Sequence, residues 1–363
     1  MLAGTPNLQN SQTKKNKTAN VICTKHHKGP HHIMKSLKIG LVFDLRDEYM
    51  AEGFSEEQIA EFDSKETIKA IEETLQQLGH YTERIGHGRS LCKHLSEGKR
   101  WDIVFTIAEG MFGRSREAQV PCVLEMFNIP YTFSDPLTCA LTLDKAMTKV
   151  VVASGGLNTP PHFLVRSVSE IKNIKLRFPL FAKPVAEGTG KGVDKTSKIE
   201  SLSQLKTVCS RLLKKYNQPV LVEEYLPGRE FTTAILGTGK KAKVLGTMEI
   251  RVKPGAPAQD YSFQVKELCE KFVDYLPMEA GSLREKVERL ALQAHRLLEC
   301  RDASRVDIRL NDCGEPFFLE INPLPGLHPT HSDLPMIATQ QGMSYNKLLE
   351  TILTSTCTRY GLT

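Results

Sequence analysis

Residues 304–326, S-R-V-D-I-R-L-N-D-C-G-E-P-F-F-L-E-I-N-P-L-P-G, hold two alternating β-type runs around a turn signal at Asn311, Asp312 and Gly314. Such a pattern restricts the stretch to a hairpin with one apolar and one charged face, because side chains on a strand share a face at every second position. With the turn at residues 312–315, Asn311 is expected to pair with Pro316, which sets Asp307 opposite Glu320 and Arg305 opposite Asn322. Two carboxylates and an amide oxygen on one face suit a hard, oxygen-seeking cation, magnesium first and manganese as its alternative. Arg305 beside them would stabilise negative charge on a reacting centre. A half-exposed hairpin with solvated charges would carry the same residues, so the remainder of the chain has to decide.

A second set of residues suits a polyphosphate. Lys145 lies on a helix, Lys183 ends a strand, and the loop Glu187-Gly188-Thr189-Gly190-Lys191-Gly192 follows directly. Glycines let backbone N–H groups approach phosphate closely, and two ammonium groups offset its charge. The loop is not a P-loop: Gly192 follows Lys191 where Ser or Thr is required, and no Gly lies five residues earlier. Downstream, Val222-Glu223-Glu224-Tyr225-Leu226-Pro227-Gly228-Arg229-Glu230 reads as a strand-to-strand hinge whose edge could face a base, although either acidic residue could be an ordinary surface charge.

These sets fall in different parts of the chain. At 363 residues and 40% hydrophobic, it can bury more than one core. Strand and helix signals alternate over 37–43, 64–78, 101–107, 118–127 and 129–131, as in a parallel sheet, and mark a first α/β lobe over 37–135. A helix carrying Leu143, Met147, Val150 and Val151 opens a second lobe over 136–227, with strands near 178–183 and 219–225 flanking the loop and a helix at 202–216. The third lobe, 228–363, has a long helix expected to start with a capping box of Ser282 and Glu285.

Residues 1–36 hold six lysines, no Asp or Glu and few large apolar side chains, so they read as a disordered basic tail. Removing those six from the 48 basic residues leaves 42 against 42 acidic ones, which gives no reason to expect nucleic-acid binding. His26, His27, His31 and His32 make a poor metal site without a scaffold. No apolar run approaches the roughly 20 residues needed to cross a bilayer. Nine scattered cysteines without a C-x-x-C pair read as free thiols of a reducing cytoplasm.

Taken in order, L-D-K-A-M-T-K, F-A-K-P, E-G-T-G-K-G, V-E-E-Y-L-P-G-R-E-F, R-V-D, L-E-I-N-P-L-P-G and H-S-D-L-P resemble the ATP-grasp superfamily and its D-alanine:D-alanine ligase-like branch, over about residues 37–350. The resemblance implies a mixed α/β and α+β ATP-grasp fold, with a Rossmann-like preATP-grasp lobe and two lobes clamping ATP. It implies an ATP-dependent carboxylate–amine ligase that makes a dipeptide-like amide through an acyl phosphate. By the same likeness Lys145 and Lys183 hold phosphates, and Glu187, Gly188, Thr189 and Gly190 close over them. Glu223, Glu224 and the Leu226 backbone flank adenine, and Glu230 meets the ribose. Asp307, Glu320 and Asn322 match the magnesium ligands. Arg305, Thr189 and Lys266, the last in a lid over 254–277, form the catalytic set, and Ser332 meets the second substrate's carboxylate.

Departures from the branch fall on substrate-facing positions. Phe43-Asp44-Leu45-Arg46 replaces a Gly- and Ser-rich segment, Glu109-Gly110 stands for His-Gly, Glu267 for a lid tyrosine and Asp333 for a leucine. A carboxylate at Asp333 would repel an incoming carboxylate unless it is paired. Arg114, Arg116, His331 and Asp333 are therefore candidates for a different acceptor. The expected partners are small-molecule carboxylates and amines, amino acids or peptides, with a homodimer as the assembly to test. A nucleotide-binding regulatory or scaffolding protein that has lost ligation is the competing expectation.

Overall fold

The computed structural model describes residues 36–256 and 268–362; the tail histidines, Lys266 and Glu267 lie outside the described residues. The chain begins with β1 (Lys38–Val42), α1 (Arg46–Ala51), α2 (Lys65–Gln77), β2 (Tyr81–Gly86), α3 (Gly88–Ser96), β3 (Ile103–Thr106) and α4 (Gln119–Met126). The three strands form a parallel sheet in the order β2-β1-β3. Ile39 to Val42 are all buried, the continuous apolar run of a strand covered on both faces. Ser64 starts α2 by accepting a hydrogen bond from the Thr67 amide. The strand expected at 129–131 is reduced to a single bridge between Val104 and Tyr131.

Next come α5 (Pro136–Leu143), α6 (Lys145–Ser154), β4 (His162–Val165), β5 (Leu180–Pro184), β6 (Lys198–Ile199), α7 (Leu202–Tyr216) and β7 (Val220–Glu224). The single helix expected around Leu143 and Val151 is two helices. Asp144 takes an extended conformation between them, and its carboxylate caps α6 by accepting from the Met147 amide at 3.0 Å. The strands pair antiparallel as β4-β7-β5-β6, and α7 buries Leu205, Val208, Cys209 and Leu212 in the core beneath them.

The third group comprises β8 (Glu230–Leu236), β9 (Lys243–Val252), α8 (Cys269–Phe272), β10 (Val273–Pro277), α9 (Ser282–Leu297), β11 (Ala303–Leu310), β12 (Pro316–Asn322), α10 (Asp333–Gln340) and α11 (Tyr345–Tyr360). Its five strands run β10-β9-β8-β11-β12, all antiparallel. Helix α9 packs Val287, Leu290, Ala291 and Ala294 with Phe231, Val306, Ile308 and Phe318, and full burial of each large apolar side chain contributes about 1.5–3 kcal/mol. The capping box expected at Ser282 does not form. Gly281, at φ +152°, holds the cap position, and its carbonyl accepts from the Glu285 amide at 3.1 Å. Among the described residues no helix is long and apolar enough to cross a membrane.

Asp302 ties distant segments together. Fully buried, it accepts hydrogen bonds from the Phe133 amide at 2.9 Å, Ser355 and Thr356 at 2.8 Å, and Arg359 at 2.7 Å. Removing one partner of a buried ion pair leaves the other charge uncompensated. Asp302→Ala should therefore lower the unfolding free energy by about 3–5 kcal/mol, read from a denaturant midpoint; a wild-type midpoint would contradict the anchoring role.

Candidate functional site

The hairpin β11–β12 sets the site. Val306, Ile308 and Leu310 point into the core, which turns Arg305, Asp307 and Arg309 to the opposite face. Asp307 lies opposite Glu320 and Arg305 opposite Asn322, as expected, but by a different route. The expected Asn311–Pro316 pair does not exist. Asn311 belongs to the turn, where its side-chain oxygen accepts from the Cys313 and Glu315 amides at 3.0 and 2.8 Å, so Leu310 pairs with Pro316. An extra residue in β12, Leu319, then shifts the register back before Glu320. This bulge lets Phe318 and Ile321 both enter the core while Leu319 and Glu320 both face a cleft.

Cations from β5 and α6 converge on Glu320. Lys183, on β5, is 3.4 Å from Glu320 Oε2 and 3.5 Å from Glu223 Oε1. Lys145, at the first position of α6, donates to the Glu187 carbonyl at 2.6 Å and stands 3.7 Å from the same Glu320 oxygen. Lys149, one turn further along α6, is fully buried 3.0 Å from Glu223 Oε2. Burial pulls the Glu223 carboxyl upward, but Lys149 and Lys183 outweigh it and hold it below its usual range. Burial lowers the Lys149 ammonium's pKa, whereas Lys183, between two carboxylates, is raised despite its own burial. Lys149 was absent from the candidates, although its position four residues after Lys145 on one helix is a signal that could have found it.

The Gly-rich loop projects beside this cluster. Thr189 and Gly190 take positive φ, +49° and +74°, and the Thr189 hydroxyl is buried with no hydrogen-bond partner among the described residues. Glu61, from the segment before α2, accepts from the Gly188 amide and pairs with Arg116 at 2.8 Å and Lys191 at 3.5 Å. Arg116 also donates to the Ala186 carbonyl at 2.9 Å. It is a buried brace of the loop and not a residue lining the acceptor cavity. Arg114 likewise departs from its expected place: it pairs with Asp144 at 2.6 Å, at the start of α6. Glu61 carried no motif and could not be found from spacing.

Two cavities meet at Glu320. The first is a cleft between the second and third sheets, lined by the polar Lys145, Lys183, Glu187 and Glu223, by Gly190, and by the larger apolar surfaces of Phe181, Tyr225 and Leu226. Phe181 and Tyr225 stack with centroids 6.3 Å apart, and the Arg309 guanidinium lies over the Tyr225 ring. Glu230, 3.6 Å from Arg309, also lines it. Glu224 reaches the cleft but is held by Arg177 at 2.9 Å, away from the lysines that surround Glu223.

The second cavity, of about 770 Å³, is bounded by Thr189, Arg305, Asn322, Ser332 and Asp333 and by the loops of the first sheet. Arg305 donates to Asp307 and to Thr232 Oγ1 at 3.1 Å, and its Nε is 3.3 Å from Asp333. Asp333 is thus paired and turned onto Arg305. Ser332 accepts from the His328 amide at 2.9 Å. The donor set of Asp307, Glu320 and Asn322 fits a hard divalent ion, since all three carry an oxygen ligand and Asp307 faces Glu320 across the hairpin.

Residues 151–354 match the family model described as the D-ala D-ala ligase C-terminus. The D-alanine–D-alanine ligase of Aquifex aeolicus is 35% identical over 292 residues, 80% of this chain and 94% of that protein. In fold, the chain is similar to the D-alanine–D-alanine ligase of Bacillus anthracis solved with ATP, at a TM-score of 0.70 and 23% identity, over 90% of this chain and 99% of that one. It is also similar to the VanG D-Ala:D-Ser ligase of Enterococcus faecalis, at a TM-score of 0.68 and 20% identity, over 89% and 100%. The chain belongs to the D-alanine–D-alanine ligase family, ATP-dependent ligases that form carbon–nitrogen bonds on the ATP-grasp fold.

Proposed function

We propose that the chain joins the carboxylate of one amino acid or peptide to the amine of another, with ATP bound in the cleft and the two substrates in the larger cavity. The observation that carries this reading is the convergence of Lys145, Lys183 and Asp307 on Glu320, at the junction of the two spaces. We divide the chain accordingly into a first lobe at 37–135, a central lobe at 136–227 and a C-terminal lobe at 228–363. The seven free thiols among the described residues suit the cytoplasm.

In this reading Lys145 and Lys183 exchange the Glu320 carboxylate for phosphate oxygens, which frees Glu320 to join Asp307 and Asn322 around the divalent ion. Held by these three side chains, a divalent ion would supply the positive charge that offsets the transferred phosphoryl group. Glu187, Gly188, Thr189 and Gly190 enclose the phosphates, Phe181, Tyr225 and Leu226 enclose the base, and Glu223, Glu224 and Glu230 line the nucleoside end. Phosphorylation turns the donor carboxylate into an acyl phosphate with a good leaving group. Arg305, fixed by Asp307, Asp333 and Thr232, stabilises the charge that develops when the amine attacks. Ser332 and Asp333 border the acceptor, and Lys266, outside the described residues, completes the candidate catalytic set. The relatives' names fix neither substrate here, since the D-Ala:D-Ser ligase shares the fold while taking a different acceptor.

Two measurements test the assignment. Glu320→Gln keeps the size and removes the charge, so ADP release should fall on the order of 10²–10³-fold while the melting temperature stays near wild type; full activity would refute the metal role. Chelation by EDTA should abolish amino-acid-dependent ADP release, and manganese should restore it. Release that persists without a divalent ion would exclude the proposed ligand set.

A further inference from the structure

The larger cavity is more acidic than two ordinary amino-acid substrates require. Seven carboxylates line it against three Lys or Arg side chains. Several are already compensated: Glu61 by Arg116 and Lys191, Glu320 by Lys145 and Lys183, Asp333 by Arg305. Asp63, Glu109 and Glu117, on the first-sheet side, have no ion pair among the described residues.

Glu117 is the sharpest case. It is only 9% exposed, its remaining surface faces the cavity, and its side chain has no hydrogen-bond partner among the described residues. The charges of Arg116 and Lys145 only partly offset its burial, because the Arg116 guanidinium is directed to Glu61 and the Ala186 carbonyl. Arg46, whose charge only partly offsets the burial of Asp63, donates to the carbonyls of Phe62 and Ala60 at 2.7 and 2.8 Å. A buried carboxylate without a partner is costly unless a ligand supplies the missing charge.

We infer that Asp63, Glu109 and Glu117 form a subsite for a positively charged side chain, so that one of the joined amino acids carries an ammonium or guanidinium of the lysine, ornithine or arginine type. This rests on the ligase reading, because it names the substrate of the same cavity. The α-ammonium of the donor can satisfy one carboxylate, and the attacking amine must be neutral to react. Carboxylates are left over for a second cation. Burial pushes the Asp63 and Glu117 carboxyls up to about 7 and Glu109 well above its usual range, a cost of holding negative charge there that a fixed cation would offset. Glu109 occupies the position where the ligases have histidine, so the change of residue falls within the subsite.

The test combines calorimetric binding of both enantiomers of lysine, ornithine, arginine, norleucine and alanine to the full chain with ADP release from ATP in the same panel. At least one basic amino acid should bind about tenfold or more tightly than norleucine, the gain expected from a charge-assisted hydrogen bond in a buried site. Glu117→Gln and, separately, Glu109→Gln should each reduce that preference while melting as folded proteins, so failure of one variant to fold leaves the other decisive. Equal binding of norleucine, no binding of any basic amino acid, or an undiminished preference in a folded variant would overturn the subsite. Absence of ADP release with every pair would instead count against the ligase reading, with the binding preference still deciding the subsite.

Discussion

Glu320 is the point on which the site depends. Its carboxylate belongs to a strand of the third sheet, faces Asp307 across the hairpin, and receives Lys145 from α6 and Lys183 from β5. Two carboxylates side by side in a partly buried cleft repel each other unless positive charge is supplied. Arg305 on the same strand meets Asp307, while the charge facing Glu320 comes from Lys145 on α6 and Lys183 on β5, so the apposition of these elements with the third sheet and the charge balance of the cleft are one constraint.

The same arrangement recurs at smaller scale. Glu223 is neutralised by Lys149 and Lys183, and Glu61 by Arg116 and Lys191, each pair joining residues far apart in the sequence. Buried ion pairs of this kind add little net stability, since desolvation offsets their attraction, but they penalise any arrangement that separates the partners. Glu61 and Arg116 thereby attach the Gly-rich loop to the first sheet. The loop that would cover phosphate is fixed by the same segments that wall the substrate cavity, so the nucleotide and substrate spaces share a boundary.

Much of this was legible in the sequence where local periodicity governs. The alternation in β11 and β12 placed Arg305, Asp307, Glu320 and Asn322 on one face, and the helix at 202–216 has its expected bounds. The bulge at Leu319 was not legible, because it compensates a turn one residue longer than expected and leaves the final pairing unchanged. Nor was the break at Asp144, where an N-cap interrupts an otherwise continuous helical pattern. Arg114 and Arg116 were placed near an acceptor from their charge alone; their partners, Asp144 and Glu61, lie 30 and 55 residues away, beyond any short-range rule. Glu117 shows the same limit, since its burial and its counter-ions are tertiary properties.

The most direct measurement of the central claim is a crystal structure with manganese and a non-hydrolysable ATP analogue, in which anomalous scattering locates the metal. We expect a peak within coordination distance of Asp307, Glu320 and Asn322, with Lys145 and Lys183 moved from Glu320 to phosphate oxygens. A metal bound elsewhere, or a nucleotide outside the cleft with both lysines still on Glu320, would contradict it.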